Sequence, residues 1–218
     1  MESALREGGR DPGLTLIETV LWDGRAAPRW PLHLARLGRS AALLGWTLPD
    51  VPPVPEPPAP ARLRLTMGQA PGGGRWQVFD LPAAPATPWK LGLAAARLHS
   101  ADPWLRVKSS RRALHDAARA ALGPGLDEAI FLNERGEVCE GTITNLFFDR
   151  GAGMRTPPLS CGALPGVLRA ELGCPEEVLL AEDLPKVRLW VGNALRGLIP
   201  ARMAAEGDGP GRPRGGAA

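Results

Sequence analysis

The stretch that decides the fold is LRVKSSRRALHDAARAAL at 105–122, followed at once by LDEAIFLNERGEVCEGTITNLFF at 126–148. Trp104, just ahead of the first segment, and Leu105 and Val107 within it predict a short strand over Trp104–Lys108. Ser109 or Ser110 then caps a helix over 111–122, which Gly123-Pro124-Gly125 stops. In the second segment the runs Glu128–Leu132 and Glu137–Cys139 flank Asn133-Glu134-Arg135-Gly136 and read as a hairpin. A further strand follows at Thr144–Asp149. One strand thus ends on a lysine, Lys108, and one hairpin ends on a glutamate, Glu140.

Working outward, residues 1–13 are polar and glycine-rich and read as a loose start. Leu14–Trp22 reads as a strand and Asp23-Gly24 as a turn. Pro31 opens a helix in which Leu34, Leu37, Ala41 and Leu44 recur at helical spacing, with Gly45 as its C-cap. Residues 51–60, VPPVPEPPAP, hold six prolines in ten positions. Such a run cannot be helical and forms a stiff extended connector, with an SH3-type ligand as the alternative. Strands are expected at Ala61–Met67, Arg75–Asp80 and Lys90–Ala96. Beyond the hairpin, Pro165-Gly166 introduces a helix VLRAEL, Val187–Val191 is a strand, and Asn193–Arg196 is a turn or short helix. The expected fold class is α/β (α+β), with two small domains, each a sheet with helices. A shortened N-terminal domain covers 1–98 and contains the connector 51–60. An interdomain segment covers 99–107, a C-terminal domain 108–203 and a disordered tail 204–218.

The chain has 218 residues, of which 44% are hydrophobic and 22% charged, a globular balance. Its 27 glycines and 24 prolines imply many turns. The net charge of +3 gives no argument for nucleic acid, and the arginines, scattered among acids, read as solvated surface. Cys139, Cys161 and Cys174 form no CxxC, and no signal peptide is recognisable, so a cytoplasmic home is expected. The longest uncharged stretch, Thr156–Leu168, contains three prolines and suits no membrane helix. His33, His99 and His115 lack metal-ligand spacing, so no metal site is expected.

Only three lysines occur, Lys90, Lys108 and Lys186. Most lysines are simply solvated, but Lys108 lies between an apolar run and a helix start, beside Arg106 and Arg111. Partial desolvation and neighbouring cations lower an amine's pKa, as a Schiff-base lysine requires. Glu140 would ordinarily be a solvated acid beside a turn. Its apolar flanks, Val138 before it and Leu146, Phe147 and Phe148 after it, instead imply burial and a partner, and a pyridinium nitrogen would serve. Gly166-Val167-Leu168 at a helix start offers backbone N–H groups to an anion, although an ordinary capped helix has the same pattern. Arg36 could supply a cation, although most helical arginines are surface residues.

Together these segments resemble the class IV aminotransferases, the fold-type IV pyridoxal 5'-phosphate enzymes. The resemblance rests on 105–122, on 126–148, on TPPLSCGALPGVLRAEL at 156–172 and on LWVGNALRGLIPAR at 189–202. LIETVLWDG at 16–24 and HLARLGRSAALLG at 33–45 resemble the family's first strand and helix. The most specific features are EGTITNLFF and the lysine 32 positions before its glutamate. The resemblance implies that Lys108 holds pyridoxal phosphate covalently and then moves protons. It implies that Glu140 holds the pyridine nitrogen and that Leu164 packs on the ring. Arg36 would bind the phosphate with Gly166, Val167, Leu168 and the Asn193-Ala194-Leu195 turn. A homodimer and a small-molecule amine substrate are implied as well. Transaminases of the family carry hydroxyls where this chain has Leu168 and Ala194, and branched-chain transaminases use a Tyr that this Tyr-free chain lacks. Those departures, with the Asn-Ala-Leu turn, resemble the subgroup of 4-amino-4-deoxychorismate lyases. That implies conversion of aminodeoxychorismate to 4-aminobenzoate and pyruvate in folate precursor synthesis, with Thr19 offering a substrate-side hydroxyl. The alternatives are a transaminase for branched-chain or D-amino acids, or a degenerate homologue with a trimmed N-terminal domain.

Overall fold

The computed structural model describes residues 2–48, 50–70, 72–85 and 88–205. The N-terminal part holds α1 (Glu2–Gly8), β1 (Leu16–Trp22), α2 (Trp30–Leu44), β2 (Ala61–Met67) and β3 (Gly74–Asp80). The strands form an antiparallel sheet in the order β1-β2-β3. Alternation divides its faces. Leu16, Val20, Leu63, Leu65 and Met67 are buried on one face, where Leu16, Leu65 and Met67 meet Leu37, Ala41 and Leu44 of α2. The opposite face carries Ile17, Thr19, Arg62 and Arg64, with Thr19 directly across from Arg64 and Leu21 across from Arg62. Gly45 ends α2 in the left-handed conformation, φ 72°, donating its N–H back to the last turn.

The second part is a closed barrel of β4 (Trp89–Leu93), β5 (Glu128–Leu132), β6 (Val138–Gly141), β7 (Asn145–Asp149), β8 (Arg188–Asn193) and β9 (Gly197–Met203). β4 runs parallel to β5 and β9, and the other neighbours are antiparallel. Leu91, Ile130, Val138, Leu146, Phe148, Val191 and Ile199 are buried in one core cluster. Two short helices, α3 (Ala113–Ala120) and α4 (Val167–Leu172), flank it. The hairpin, the strand near Thr144, the helix after Gly166 and the turn at 193–196 stand where the sequence puts them.

Several expectations are corrected. The strand expected over Lys90–Ala96 is β4, and it pairs in the barrel rather than with the N-terminal sheet. Its apolar residues mark a strand but not its partners. Trp104–Lys108 is not a strand. Pro103–Arg106 forms a 3₁₀ turn whose start is capped by the Asp102 carboxylate on the Trp104 N–H. Neither serine caps α3. Ser110 Oγ accepts the Thr15 N–H at 3.0 Å and Ser109 Oγ the Arg111 N–H at 3.3 Å, both ahead of the helix. The start of the chain is ordered as α1 because Leu5 is buried with Leu14, Leu44 and Trp46. β9 has no counterpart in the sequence reading, since Pro200 breaks its pattern. The connector 51–60 is extended and docks on its own sheet, where Trp22 and Trp76 donate indole N–H bonds to the Pro57 and Pro52 carbonyls. In the expected disordered tail, Ala204 donates its N–H to Leu91, and 206–218 lies outside the described residues. The three cysteines are free thiols.

Candidate active site

A cavity of about 690 Å³ lies between the N-terminal sheet and the barrel. Lys108 reaches it because its own segment is stitched to β1. Its carbonyl accepts the Ile17 N–H at 2.9 Å, the Ser110 N–H goes to the Thr15 carbonyl at 2.8 Å, and Ser109 bridges Leu16. The side chain is only partly exposed. Desolvation, followed by the charges of Arg36 and Arg112, lowers the Lys108 amine to about 8 against the partial support of Glu18 and Glu140. The cations responsible are therefore Arg36 and Arg112, and not the sequence neighbours Arg106 and Arg111.

Glu140 lies one residue before the end of β6 and is buried, 5% exposed. Its Oε2 accepts the Leu164 N–H at 2.9 Å and the Asn145 amide at 3.4 Å, while its Oε1 meets His115 Nε2 at 3.1 Å. A carboxylate held at both oxygens cannot swing away from the cavity it lines. The turn that follows is anchored from beneath by the fully buried Glu128. That carboxylate accepts the backbone N–H groups of Thr142 and Ile143 and the hydroxyls of Thr142 and Thr144.

Arg36, also buried, lines the cavity but is not free. Its guanidinium grips Glu18 with two hydrogen bonds, Nε to Oε1 at 2.9 Å and Nη2 to Oε2. His33 Nδ1 approaches the same Oε2 at 2.6 Å. Burial pushes the Glu18 carboxyl up, and the Arg36 charge with the bonds from His33 and Arg36 outweighs it, so Glu18 stays below its ordinary value. Burial, with the Arg36 and Lys108 charges, lowers the His33 pKa against the pull of Glu18. The neutral ring donates from Nδ1, and its Nε2 is buried with no partner.

Of the residues singled out in the sequence, Thr19, Arg36, Lys108, Glu140, Leu164, Gly166, Val167, Asn193, Ala194 and Leu195 all line this cavity. Leu168 does not. It is buried against Gly192, where an added Cβ would stand 2.6 Å from its Cδ2. At Gly166 a Cβ would fall 1.8 Å from Asn145 Oδ1, so only glycine admits this approach. In the 193–196 turn Asn193 Oδ1 accepts the N–H groups of Leu195 and Arg196, leaving Leu195 N–H engaged inside the turn. The sequence reading missed His115 and Asn145, which hold Glu140. Apart from Arg36, Arg106 and Arg111 it took the arginines for solvated surface, whereas Arg62, Arg64, Arg112 and Arg196 converge here with Arg36 and Arg111. The alternation in Ala61-Arg62-Leu63-Arg64-Leu65 was the available signal.

The family model for class IV amino-transferases matches residues 15–204. A structure from Mesorhizobium loti, assigned as an amino-acid aminotransferase, shares 40% identity with a TM-score of 0.80, covering 88% of this chain and 100% of that one. A Legionella pneumophila structure, assigned as a 4-amino-4-deoxychorismate lyase, is 23% identical over 87% of this chain and 82% of that one, TM-score 0.72. One from Thermotoga maritima, assigned as a branched-chain amino acid aminotransferase, is 21% identical over 93% and 80%, TM-score 0.73. The last two share the fold. No curated protein matches the chain.

Proposed function

The chain belongs to the class IV aminotransferases, and within that family we propose that it is a lyase converting 4-amino-4-deoxychorismate to 4-aminobenzoate and pyruvate, a step in making folate precursors. The family uses pyridoxal phosphate, and the cavity fits that group. An amine held near pH 8, a doubly anchored carboxylate, a buried arginine and a glycine cradle that a Cβ would fill lie around one space. Lys108 would hold the cofactor covalently, with Glu140 at the ring nitrogen, Leu164 against the ring, and Arg36 with the Val167 N–H at the phosphate. When bound, the cofactor draws electrons from the carbon that bears the substrate's amine.

The residues of the chain do the rest. Once the substrate's amine has replaced Lys108 on the cofactor, the freed Lys108 Nζ, uncharged for part of the time at neutral pH, would take the proton from that carbon. Departure of the enolpyruvyl group leaves the ring aromatic, and the proton returns to the departing methylene as pyruvate forms. Glu140, fixed in place by Leu164, Asn145 and His115, would sit at the ring nitrogen. Thr19 offers its hydroxyl from the β1 face. Glu140→Gln therefore retains cofactor and loses about two to four powers of ten in turnover, read by steady-state kinetics.

One observation carries the lyase reading. The Asn193-Ala194-Leu195 turn presents Ala194 to the cavity, and Leu168 faces Gly192, so neither position supplies the hydroxyl that transaminases of the family place there. The likeness to the Mesorhizobium loti protein favours an aminotransferase as the second reading. The enzyme acts as a cytoplasmic homodimer in this proposal, supported by the family resemblance. Parallel assays separate the readings. The cofactor-loaded protein receives aminodeoxychorismate alone, or D-alanine or L-leucine with 2-oxoglutarate. Pyruvate and 4-aminobenzoate from the first support the lyase. Reaction of only the amino-acid pairs makes it an aminotransferase, and silence in every assay makes it a degenerate homologue.

A further inference from the structure

We propose that Arg29 is a positioning residue, a clasp from the start of α2 that holds α4 and the Ala194 peptide of the 193–196 turn in place for the cofactor's phosphate. Arg29 stands at the N-cap of α2, between Pro28 and Pro31. Its carbonyl accepts the Leu32 and His33 N–H groups at 3.0 and 3.1 Å, which fixes its backbone. An arginine is a poor choice for that position. It has no side-chain acceptor for the free N–H groups of the first turn, and its charge opposes the helix dipole. The side chain makes no capping bond and leaves the helix instead. Its Nε donates to Glu171 Oε2 on α4 at 2.7 Å, and its Nη1 donates to the Ala194 carbonyl at 3.0 Å.

Both targets belong to elements that line the cavity, α4 through Val167 and the turn through Asn193, Ala194 and Leu195. The Ala194 carbonyl and the Leu195 N–H are the two ends of one planar peptide group. Arg29 holds the carbonyl, and Asn193 Oδ1 accepts the N–H at 3.1 Å. The Asn193 amide is tied in turn to the Ile143 carbonyl at 3.1 Å. A peptide gripped at both ends keeps one orientation, and loss of either grip lets it turn. The turn's other tie to the N-terminal part, Arg196 to the exposed Ala83 carbonyl at 3.3 Å, does not touch that peptide. Arg36 follows Arg29 by seven residues, about two turns further along the same face of α2. The clasp therefore sets α2, and Arg36 with it, against both the turn and α4. With 23% and 39% of the two side chains exposed, the Arg29–Glu171 ion pair adds little to stability. Its role is geometric, fixing the spacing between a cation on one side of the seam and backbone on the other.

The inference rests on the reading that pyridoxal phosphate occupies this cavity, so the clasp is also measured without cofactor. The variants are Arg29→Gln, Arg29→Lys, Glu171→Gln and, as a control, Arg150→Gln. The control breaks two exposed ion pairs, with Glu177 and Asp183, at residues that do not line the cavity. Amide hydrogen exchange over 193–197 is followed in cofactor-free protein, and pyridoxal phosphate affinity is read by fluorescence titration. Arg29→Gln should speed exchange of the Leu195 and Arg196 N–H groups about tenfold or more. It should weaken pyridoxal phosphate about five- to thirtyfold. Arg29→Lys replaces two separated donors by one ammonium and should fall between wild type and Arg29→Gln. Glu171→Gln leaves the Ala194 bond in place and should weaken the cofactor less than Arg29→Gln does. Arg150→Gln should change neither quantity. Unchanged exchange at Leu195 and Arg196 in Arg29→Gln overturns the proposal, and so does faster exchange with unchanged cofactor affinity. A loss from Arg150→Gln as large as that from Arg29→Gln also overturns it, because any broken surface ion pair would then do the same. If the wild type itself takes up no pyridoxal phosphate, the cofactor reading fails, and the exchange rates alone uphold or overturn the clasp.

Discussion

The Lys108 amine is lowered to about 8 because of where its neighbours are in space. Its position between an apolar run and a helix start was legible in the sequence, and so was the lowered pKa. The cations that lower it were not, because Arg36 lies on α2 and Arg112 hydrogen-bonds across to the Thr142 carbonyl. A pKa of about 8 has a measurable consequence. The uncharged amine is the nucleophile, so the rate at which cofactor-free protein forms its visible band with pyridoxal phosphate should climb with pH and level off just above 8. Stopped-flow absorbance across the pH range reads this. A rate still rising toward 10.5 would mean an ordinary lysine. The sign for stability is also fixed. Between about 8 and 10.5 the unfolded chain holds the proton that the folded chain releases, so this group raises folded-state stability as pH increases through that window. Arg36 matters to stability through Glu18. Removing it leaves the buried Glu18 charge with only the His33 hydrogen bond, so Arg36→Ala should cost about 3–5 kcal/mol in chemical denaturation as well as weakening cofactor binding. The double variant Glu18→Gln, Arg36→Met buries no charge and should regain most of that stability while still binding cofactor weakly. If the single variant kept wild-type stability, the ion pair would be idle.

At the scale of elements, the sequence was clearest where chemistry and turn geometry coincide. The hairpin before Glu140, the α4 start at Gly166 and the turn at 193–196 were all legible, because glycine, proline and asparagine set those turns. Partner choice was not. β4 reads like a member of the first sheet, since alternation identifies a strand without identifying its neighbours. Trp104–Arg106 looked extended until Pro103 and the Asp102 cap turned it into a 3₁₀ turn. β9 was hidden by Pro200. The meeting of α4 with β7 gives a test at this scale. A methyl group at Gly166 would displace the Asn145 side chain, which donates to the Leu164 carbonyl at 3.0 Å and to Glu140. Gly166→Ala should therefore lose about 1–3 kcal/mol of stability and bind cofactor more weakly, read by thermal melts and fluorescence titration. Unchanged affinity would show that Asn145 does not support the site.

For the whole molecule, the arrangement of two sheets around one cavity explains why residues from 19 to 195 meet. The stretch ahead of α3 pairs with β1 through Ser109 and Leu16 and carries Lys108 to the seam, while the barrel side brings Glu140, Gly166 and Ala194. No helix among the described residues is long and apolar enough to cross a membrane. In the proposed function this seam performs elimination on a single substrate. Transamination leaves the cofactor in its amine form until a keto acid restores it, whereas elimination regenerates the starting state by itself. The direct measurement is the number of 4-aminobenzoate molecules formed per bound cofactor from aminodeoxychorismate, with no amino acceptor present and with pyruvate removed as it forms. Many turnovers per cofactor, with pyruvate and 4-aminobenzoate in equal amounts, is the predicted result. No 4-aminobenzoate from fully loaded protein, or a halt after one equivalent, would contradict it.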